Sequence, residues 1–369
     1  ASVRLEADQN DIATITRPTS IYPERLVNRW RIYRTNTGNQ SDTVQFVAEV
    51  PITTATYVDT KRSSELGETI ATTGWLPPPD NLAGLTALSN GILAGFFDNT
   101  VCFCVPYKPY AWPIAFQLST KLPIVGLGGF GSTLFVGTRG SPYLATGTDS
   151  ASMDLQELPS NQACVSARSI VSVDNGVIYA SPDGLCLATV GGVQVITDGL
   201  VTKQDWAGLV PSSIIAALHD QTYYFVYNTG LSSGVYALDF VTKKLVEFAG
   251  TATALYTDQV TDTLYAISGT SILAIFAGAT KRMGTYRTGI IKLELPAPMG
   301  WLQVDSTFAA PVTVRWYGDG VLRYTVEVNS TQPVRLPAGR YLEHEIEITS
   351  QADVTKVTLA STTQELQSV

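Results

Sequence analysis

Histidine is nearly absent from this chain: there are two in 369 residues, together with three methionines, four cysteines and only 15% charged residues. His219 and His344 are too few and too far apart in sequence to suggest a catalytic triad or a metal cluster. The cysteines, Cys102, Cys104, Cys164 and Cys186, lie inside apolar strand-like segments and lack the spacing of a disulfide framework. They are expected to be buried thiols of a chain folded in a reducing compartment. No run approaches the roughly eighteen uninterrupted apolar residues of a membrane span. The net charge of -8 argues against a sequence-independent grip on nucleic acid, since such a grip comes from clustered Lys and Arg releasing counterions. Ala, Glu, Lys and Leu at helical spacing are scarce. What remains, rich in Gly, Pro, Thr, Ser and Tyr, predicts a nearly all-β protein with little helix.

One apolar pattern returns five times between about Asn90 and Ala277: Gly91–Phe96, Ser132–Val136, Gly176–Ala180, Thr222–Val226 and Thr263–Ile267. The period is roughly 40 to 46 residues, the range of four-stranded propeller blades. The runs are short, β-branched and aromatic, and turn pairs such as Asn90-Gly91, Asp98-Asn99, Asn175-Gly176, Asp183-Gly184 and Gly191-Gly192 bound them. A second strand follows each: Val101–Val105, Tyr143–Ala145, Leu185–Ala188, Val235–Phe240 and Ser271–Phe276. A repeated hairpin cannot bury both faces alone, so the copies are expected to stack around an axis as a β-propeller of about five to six blades. The competing expectation is a β-sandwich with evenly spaced strands.

The flanks differ from this middle. Residues 1–73 predict a small β domain with strands at Val3–Ala7, Ile12–Thr16, Trp30–Arg34, Val44–Val50 and Ala55–Asp59, similar to part of a fibronectin type III module. Ala1 follows no initiator Met, and Ser2–Ala7 already alternates like a strand, which suggests a fragment or a processed product of a longer protein. Trp75-Leu76-Pro77-Pro78-Pro79-Asp80 is a stiff extended connector, since consecutive prolines fix φ and remove donors. The propeller is assigned to residues 74–286, closing on a basic turn at Lys281–Arg287. Residues 287–369 then predict a C-terminal β-sandwich of about seven strands: Gly289–Leu295, Trp301–Asp305, Val312–Tyr317, Val321–Val328, Val334–Leu336, Tyr341–Thr349 and Val354–Leu359.

Several motifs invite functional readings, and each meets a plainer one. Gly126-Leu127-Gly128-Gly129-Phe130-Gly131 fits a dinucleotide fingerprint, but a strand follows where a helix is required, so tight turning between blades is the expectation. Ser172–Tyr179 approximates the Asp-box of sialidase-like propellers, yet only Arg139 and Arg168 lie in the repeats, too few to clamp a sialic carboxylate. Cys102 and Cys104 share one strand face without a second pair to complete a metal site. His344, on the strand Glu343–Ile348, is expected at the surface. Phe103, Tyr107, Tyr110, Trp112 and Phe116 offer a glycan platform, but the intervening Pro106, Pro109 and Pro113 favour a rigid packed loop. No residue is assigned a catalytic, cofactor-binding or metal-binding role, and no cofactor is expected.

Cys104–Pro113, Gln162–Ser169, Tyr179–Leu185 and Arg335–Arg340 resemble segments of propeller-bearing virion proteins of tailed bacteriophages, those similar to tail-nozzle components of short-tailed phages. The similarity runs from about Trp30 to Leu366, and its motifs are architectural. The resemblance implies a non-enzymatic virion structural protein, at the tail nozzle or tail tip. It implies a homo-oligomeric ring that contacts other tail proteins (adaptor, fibres or plug), passes DNA without holding it, and is assembled in the host cytoplasm. In such a ring a lumen lined by acidic or neutral groups is expected, with Asp98, Asp149, Asp174, Asp183, Asp220, Asp258 or the strand Glu343–Glu347 as candidates. The alternative is a tail-associated glycan-binding or sialidase-like depolymerase protein that engages the host envelope.

Overall fold

The computed structural model describes residues 12–17, 27–36, 44–248, 250–278 and 281–367. The strand expected at Val3–Ala7 lies outside the described residues. The chain packs as two units, Ala1–Ile272 and Leu273–Val369. Nearly every regular element is a β-strand in a small sheet.

The first unit begins with two strand pairs. β1 (Ala13–Thr16) pairs with β4 (Thr56–Asp59), and β2 (Arg29–Thr35) pairs with β3 (Val44–Pro51), all antiparallel. Ile32, Val47 and Val50 make their core, while Arg29 and Arg31 grip Glu49 on the wet face. β2 alternates from Arg29 to Ile32, whereas in β3 the register shifts at Val47, so the buried Val47 and Val50 lie three residues apart.

Five sheets follow in chain order. They are β5 (Ala83–Ala87), β6 (Leu93–Phe97), β7 (Thr100–Phe103) and β8 (Gln117–Ser119); then β9 (Ile124–Phe130), β10 (Thr133–Thr138), β11 (Tyr143–Thr146) and β12 (Asp154–Glu157). The third holds β13 (Val171–Val173), β14 (Gly176–Ala180), β15 (Leu185–Thr189) and β16 (Gly192–Val195), and the fourth β17 (Ile215–His219), β18 (Thr222–Asn228), β19 (Ser233–Asp239) and β20 (Lys244–Phe248). The fifth has three strands, β21 (Ala254–Asp258), β22 (Thr263–Ser268) and β23 (Ser271–Ala274). Each recurring sequence run is the second strand of its own sheet, and each follow-on run is the third.

Period-two burial shows how these sheets meet. Leu134 and Val136 of β10 pack with Val101 and Phe103 of the first sheet, whereas Phe135 between them packs with Val177 and Tyr179 of the third. Ile178 and Ala180 of β14 turn the other way, onto Tyr223, Phe225 and Leu238 of the fourth. β10 and β14 therefore each have two buried faces, one per neighbouring sheet, and read as continuous apolar runs. The short helix α1 (Lys203–Gly208) places Trp206 in the core between the third and fourth sheets, with its indole N–H on Ser181 O at 2.9 Å.

The glycine run is a correction to the sequence reading. Gly126, Gly128 and Gly129 lie within strand β9, and only Gly131 turns, with φ +55. A Cβ on Gly126 or Gly128 would stand 2.7 Å or 2.9 Å from Ile170, and one on Gly129 would stand 3.0 Å from Ala87 O. The glycines let β9 approach its neighbours closely on both sides, which is a packing role.

In the second unit, β24 (Gly284–Arg287) and β25 (Ile291–Pro298) pair successively along one edge of β30 (Arg340–Ser350). The other edge of β30 pairs with β27 (Val312–Gly318), which pairs with β28 (Val321–Val328). A smaller sheet runs β29 (Val334–Arg335), β26 (Trp301–Ser306), β31 (Val354–Ala360), and the short helix α2 (Thr363–Gln367) follows. Leu302 and Val304 of the small sheet pack with Val312, Val314, Trp316 and Ile346 of the large one. Two expectations fail here. Lys281–Arg287 is no basic turn, because Gly284–Arg287 takes up the free hydrogen bonds of β30 as β24. His344 is 1% exposed, because it shares the inward parity of Ile346 and Ile348.

Candidate interaction surface

The aromatic segment after β7 divides in the structure. Phe103 and Trp112 are buried and Phe116 packs against the first core, but Tyr107 and Tyr110 are 79% and 63% exposed. The loop is a pair of tight turns, with Lys108 N–H on Val105 O at 2.9 Å, Ala111 N–H on Lys108 O at 3.0 Å, and Val105 N–H on Ala111 O at 2.8 Å. Tyr107 sits at φ +59, a left-handed backbone that a bulky side chain rarely adopts. Its N–H donates to Gly91 O at 2.8 Å, and its ring lies against Gly91, where any Cβ would stand 2.4 Å from the ring. The tyrosine is thus seated on backbone with its other face open to solvent.

Beside it, Trp75 meets Tyr110 edge to face at 5.9 Å, and the Lys108 ammonium stands 4.5 Å from the Trp75 ring centre. Trp112 N–H donates to Leu76 O at 2.8 Å, which docks the proline run onto the loop. A shallow groove of about 340 Å³ runs between Leu76, Pro77, Pro79, Trp112, Ile114 and Gln117. The amide of Asn90, next to Gly91, is inaccessible and has no hydrogen-bond partner. Such a surface can hold a flat or apolar group by contact. The sequence reading grouped the five aromatics as packing; tight turns and the left-handed backbone at Tyr107 leave two of the rings exposed.

The other candidate residues do not converge. Arg168 donates to Thr253 O at 2.6 Å, tying the segment before β13 to the start of β21, while Arg139 lies in the turn after β10. Asp174 occupies the exposed β13–β14 turn. His219 Nδ1 is 3.7 Å from Asp262 Oδ1, too long for a hydrogen bond. Cys102 and Cys104 pack with Trp112 in a small core. Burial pushes the thiols up, Cys102 and Cys186 to about 11 and Cys164 to about 12. No group of three or more possible metal ligands occurs among the described residues.

Several turn carboxylates serve the backbone. Asp149 accepts from Ala151 N–H, Asp239 from Val241 and Thr242, and Asp258 from Val260 and Thr261, each closing its own turn. These bonds favour the ionised form and hold Asp239 and Asp258 below the usual carboxylate range. Asp183 is lowered too, by hydrogen bonds from Gln162 and then Lys203. Asp98 and Asp220 adopt left-handed backbone in hairpin turns. In the second unit, Glu343 pairs with Lys292, Glu345 with Arg287 and Glu347 with Arg315, so the acidic strand is matched residue by residue.

No family model and no curated protein matches the chain. Solved structures show distant likenesses. One is the extracellular domain described as that of a hybrid two-component system from B. thetaiotaomicron, at 14% identity and a TM-score of 0.38, covering 54% of this chain and 29% of that one. Another is PorZ, a surface component of the type-IX secretion system of Porphyromonas gingivalis, at 12% identity and 0.35, covering 80% of this chain and 45% of that one. A third is an exo-β-1,3-galactanase from Phanerochaete chrysosporium, at 10% identity and 0.28, covering 80% and 97%. At these scores the likenesses carry no functional argument.

Proposed function

We propose that this chain is a non-enzymatic structural protein of a phage virion, a tail nozzle or tail-tip component whose copies assemble into a ring that conducts DNA. The five stacked sheets are read as blades of a β-propeller, residues 74–286, between a partial fibronectin-like domain (1–73) and a C-terminal β-sandwich (287–369). The observation that carries the reading is the commitment of the polar groups in the repeats to architecture. Asp149, Asp239 and Asp258 close turns, Arg168 ties two sheets together, and the glycines of β9 set sheet spacing. The resemblance of Cys104–Pro113, Gln162–Ser169, Tyr179–Leu185 and Arg335–Arg340 to tail proteins supplies the biological setting. An acidic balance suits a conduit, because a ring of basic side chains would retain phosphate through many released counterions.

Electron microscopy of the assembled protein tests this. A closed ring with a central channel is expected. A particle that stays monomeric at assembly concentrations, or an axis lined by Arg and Lys, would overturn it.

A second reading is favoured by one specific observation, the outward faces of Tyr107 and Tyr110. On that reading the loop engages glycans of the host envelope. Saccharide binding lost in Tyr107→Ala while assembly is retained would support it over a purely structural role.

A further inference from the structure

Exposed apolar side chains gather around the Tyr107 loop. Beside Tyr107 and Tyr110, Ile114 is 65% exposed, and Leu76, Pro77 and Pro78 also stand open. Contacts join these residues into one patch: Tyr110 meets Trp75 edge to face, and Trp112 N–H holds Leu76 O. A contiguous apolar surface of this kind marks a place where another molecule sits. The patch is also stiff, since hydrogen-bonded turns and the proline run fix its backbone, so little freedom is lost on binding.

It carries both a projection and a recess. The projection is Tyr107, whose exposed ring stands on the backbone of Gly91. The recess is the groove of about 340 Å³ walled by prolines, Trp112 and Ile114. Its polar lining is Asp80 and Gln117, whose side chains make no hydrogen bond among the described residues. Apolar walls with free acceptors suit a phenol, because the ring packs against the walls while the O–H finds its partner. Charge is divided in the same way. Lys108, next to the projection, rests its ammonium over Trp75, and Asp80 lies in the recess; neither forms an ion pair among the described residues.

We infer that the patch docks a second copy of this chain, with Tyr107 of each copy entering the groove of the other. One surface supplies ring and pocket, cation and anion, so it is complementary to itself. Because both halves lie on the same patch, the arrangement that satisfies all of them is a two-fold one, in which each contact is made twice. Lys108 of each copy then faces Asp80 of the other, and the charges fix the register of the apolar contact. This pairing does not rest on the ring reading, since a two-fold contact joins copies in pairs and does not by itself close a ring of many.

Sedimentation equilibrium of the full chain tests this. A monomer–dimer equilibrium is expected, weakened at least about tenfold by Tyr107→Ala. Asp80→Lys and Lys108→Asp should each weaken self-association by about fivefold, because like charges then meet twice. An equimolar mixture of those two variants should pair again, since each restores the charge the other lacks, and that recovery also shows that both are folded. A chain that stays monomeric at every concentration, a dimer indifferent to Tyr107→Ala, or a mixture that does not recover would overturn the inference. So would a monomer that takes up a saccharide through Tyr107, the occupant then being a glycan. A ring seen by electron microscopy whose assembly survives Tyr107→Ala would refute the pairing and leave the proposed function standing; pairs without a ring would do the reverse.

Discussion

Trp316 donates its indole N–H to Nδ1 of His344 across 3.2 Å, and the two rings stack with planes 8° apart. The imidazole Nε2 faces Tyr341 O at 3.1 Å, so the tautomer that satisfies both contacts carries its proton on Nε2. Replacing His344 by alanine would leave a cavity and strip the buried Trp316 N–H of its acceptor. A loss of about 2–4 kcal/mol is expected, read as a shift of the denaturant midpoint followed by tryptophan fluorescence. His344→Gln, which keeps an acceptor, should recover part of it.

The four thiols should be silent in the native protein. Burial raises all of them, Cys164 to about 12, so thiolate is scarce at neutral pH and reagent access is blocked as well. Ellman's reagent at pH 8 should release almost no colour until denaturant is added, and then the equivalent of four thiols. Rapid native labelling of Cys102 would contradict the packing described for it.

Val210 follows helix α1 with φ 52 and ψ 74, a left-handed conformation that a β-branched residue resists. Its side chain is 39% exposed, so little packing is lost on its removal. Val210→Gly should stabilise the chain by about 1 kcal/mol, raising the thermal midpoint in calorimetry. Val210→Ile should bring no gain.

Acid should loosen the second unit through Glu347 and Asp319. Hydrogen bonds from Arg315 hold Glu347 below the usual carboxylate range, and backbone N–H groups of Glu343 and Leu342 do the same for Asp319. Groups whose folded values are depressed stabilise above the unfolded value, about pH 4, and lose that contribution as pH falls through the folded value. Unfolding midpoints measured from pH 6 downward should therefore drop, and Glu347→Gln should flatten the slope.

The second and third strands of the five sheets were legible in the sequence because each is apolar on both faces and bounded by turn residues. The first and fourth strands were not. β9 is diluted by three glycines that serve its neighbours, and β8 and β13 are three residues long, below the length at which periodicity speaks. His344 was misplaced although a signal existed: it shares parity with Ile346 and Ile348, while the glutamates around it alternate outward. Tyr107 could not be placed, because its exposure depends on a left-handed backbone and on Gly91, distant in sequence.

The bare backbone of β9 has a mechanical consequence. Gly126 and Gly128 receive Ile170 on one side and Gly129 receives Ala87 and Leu88 on the other, so this strand is a keystone gripped by two neighbours. Widening it by one methyl at Gly128 would press on Ile170 and Val177 together and spread the joint instead of fraying a hairpin, at about 1–3 kcal/mol. Damage there would travel as a change of angle between sheets whose own hydrogen-bond ladders remain whole. In an assembly of many copies, that angle would be repeated at every subunit.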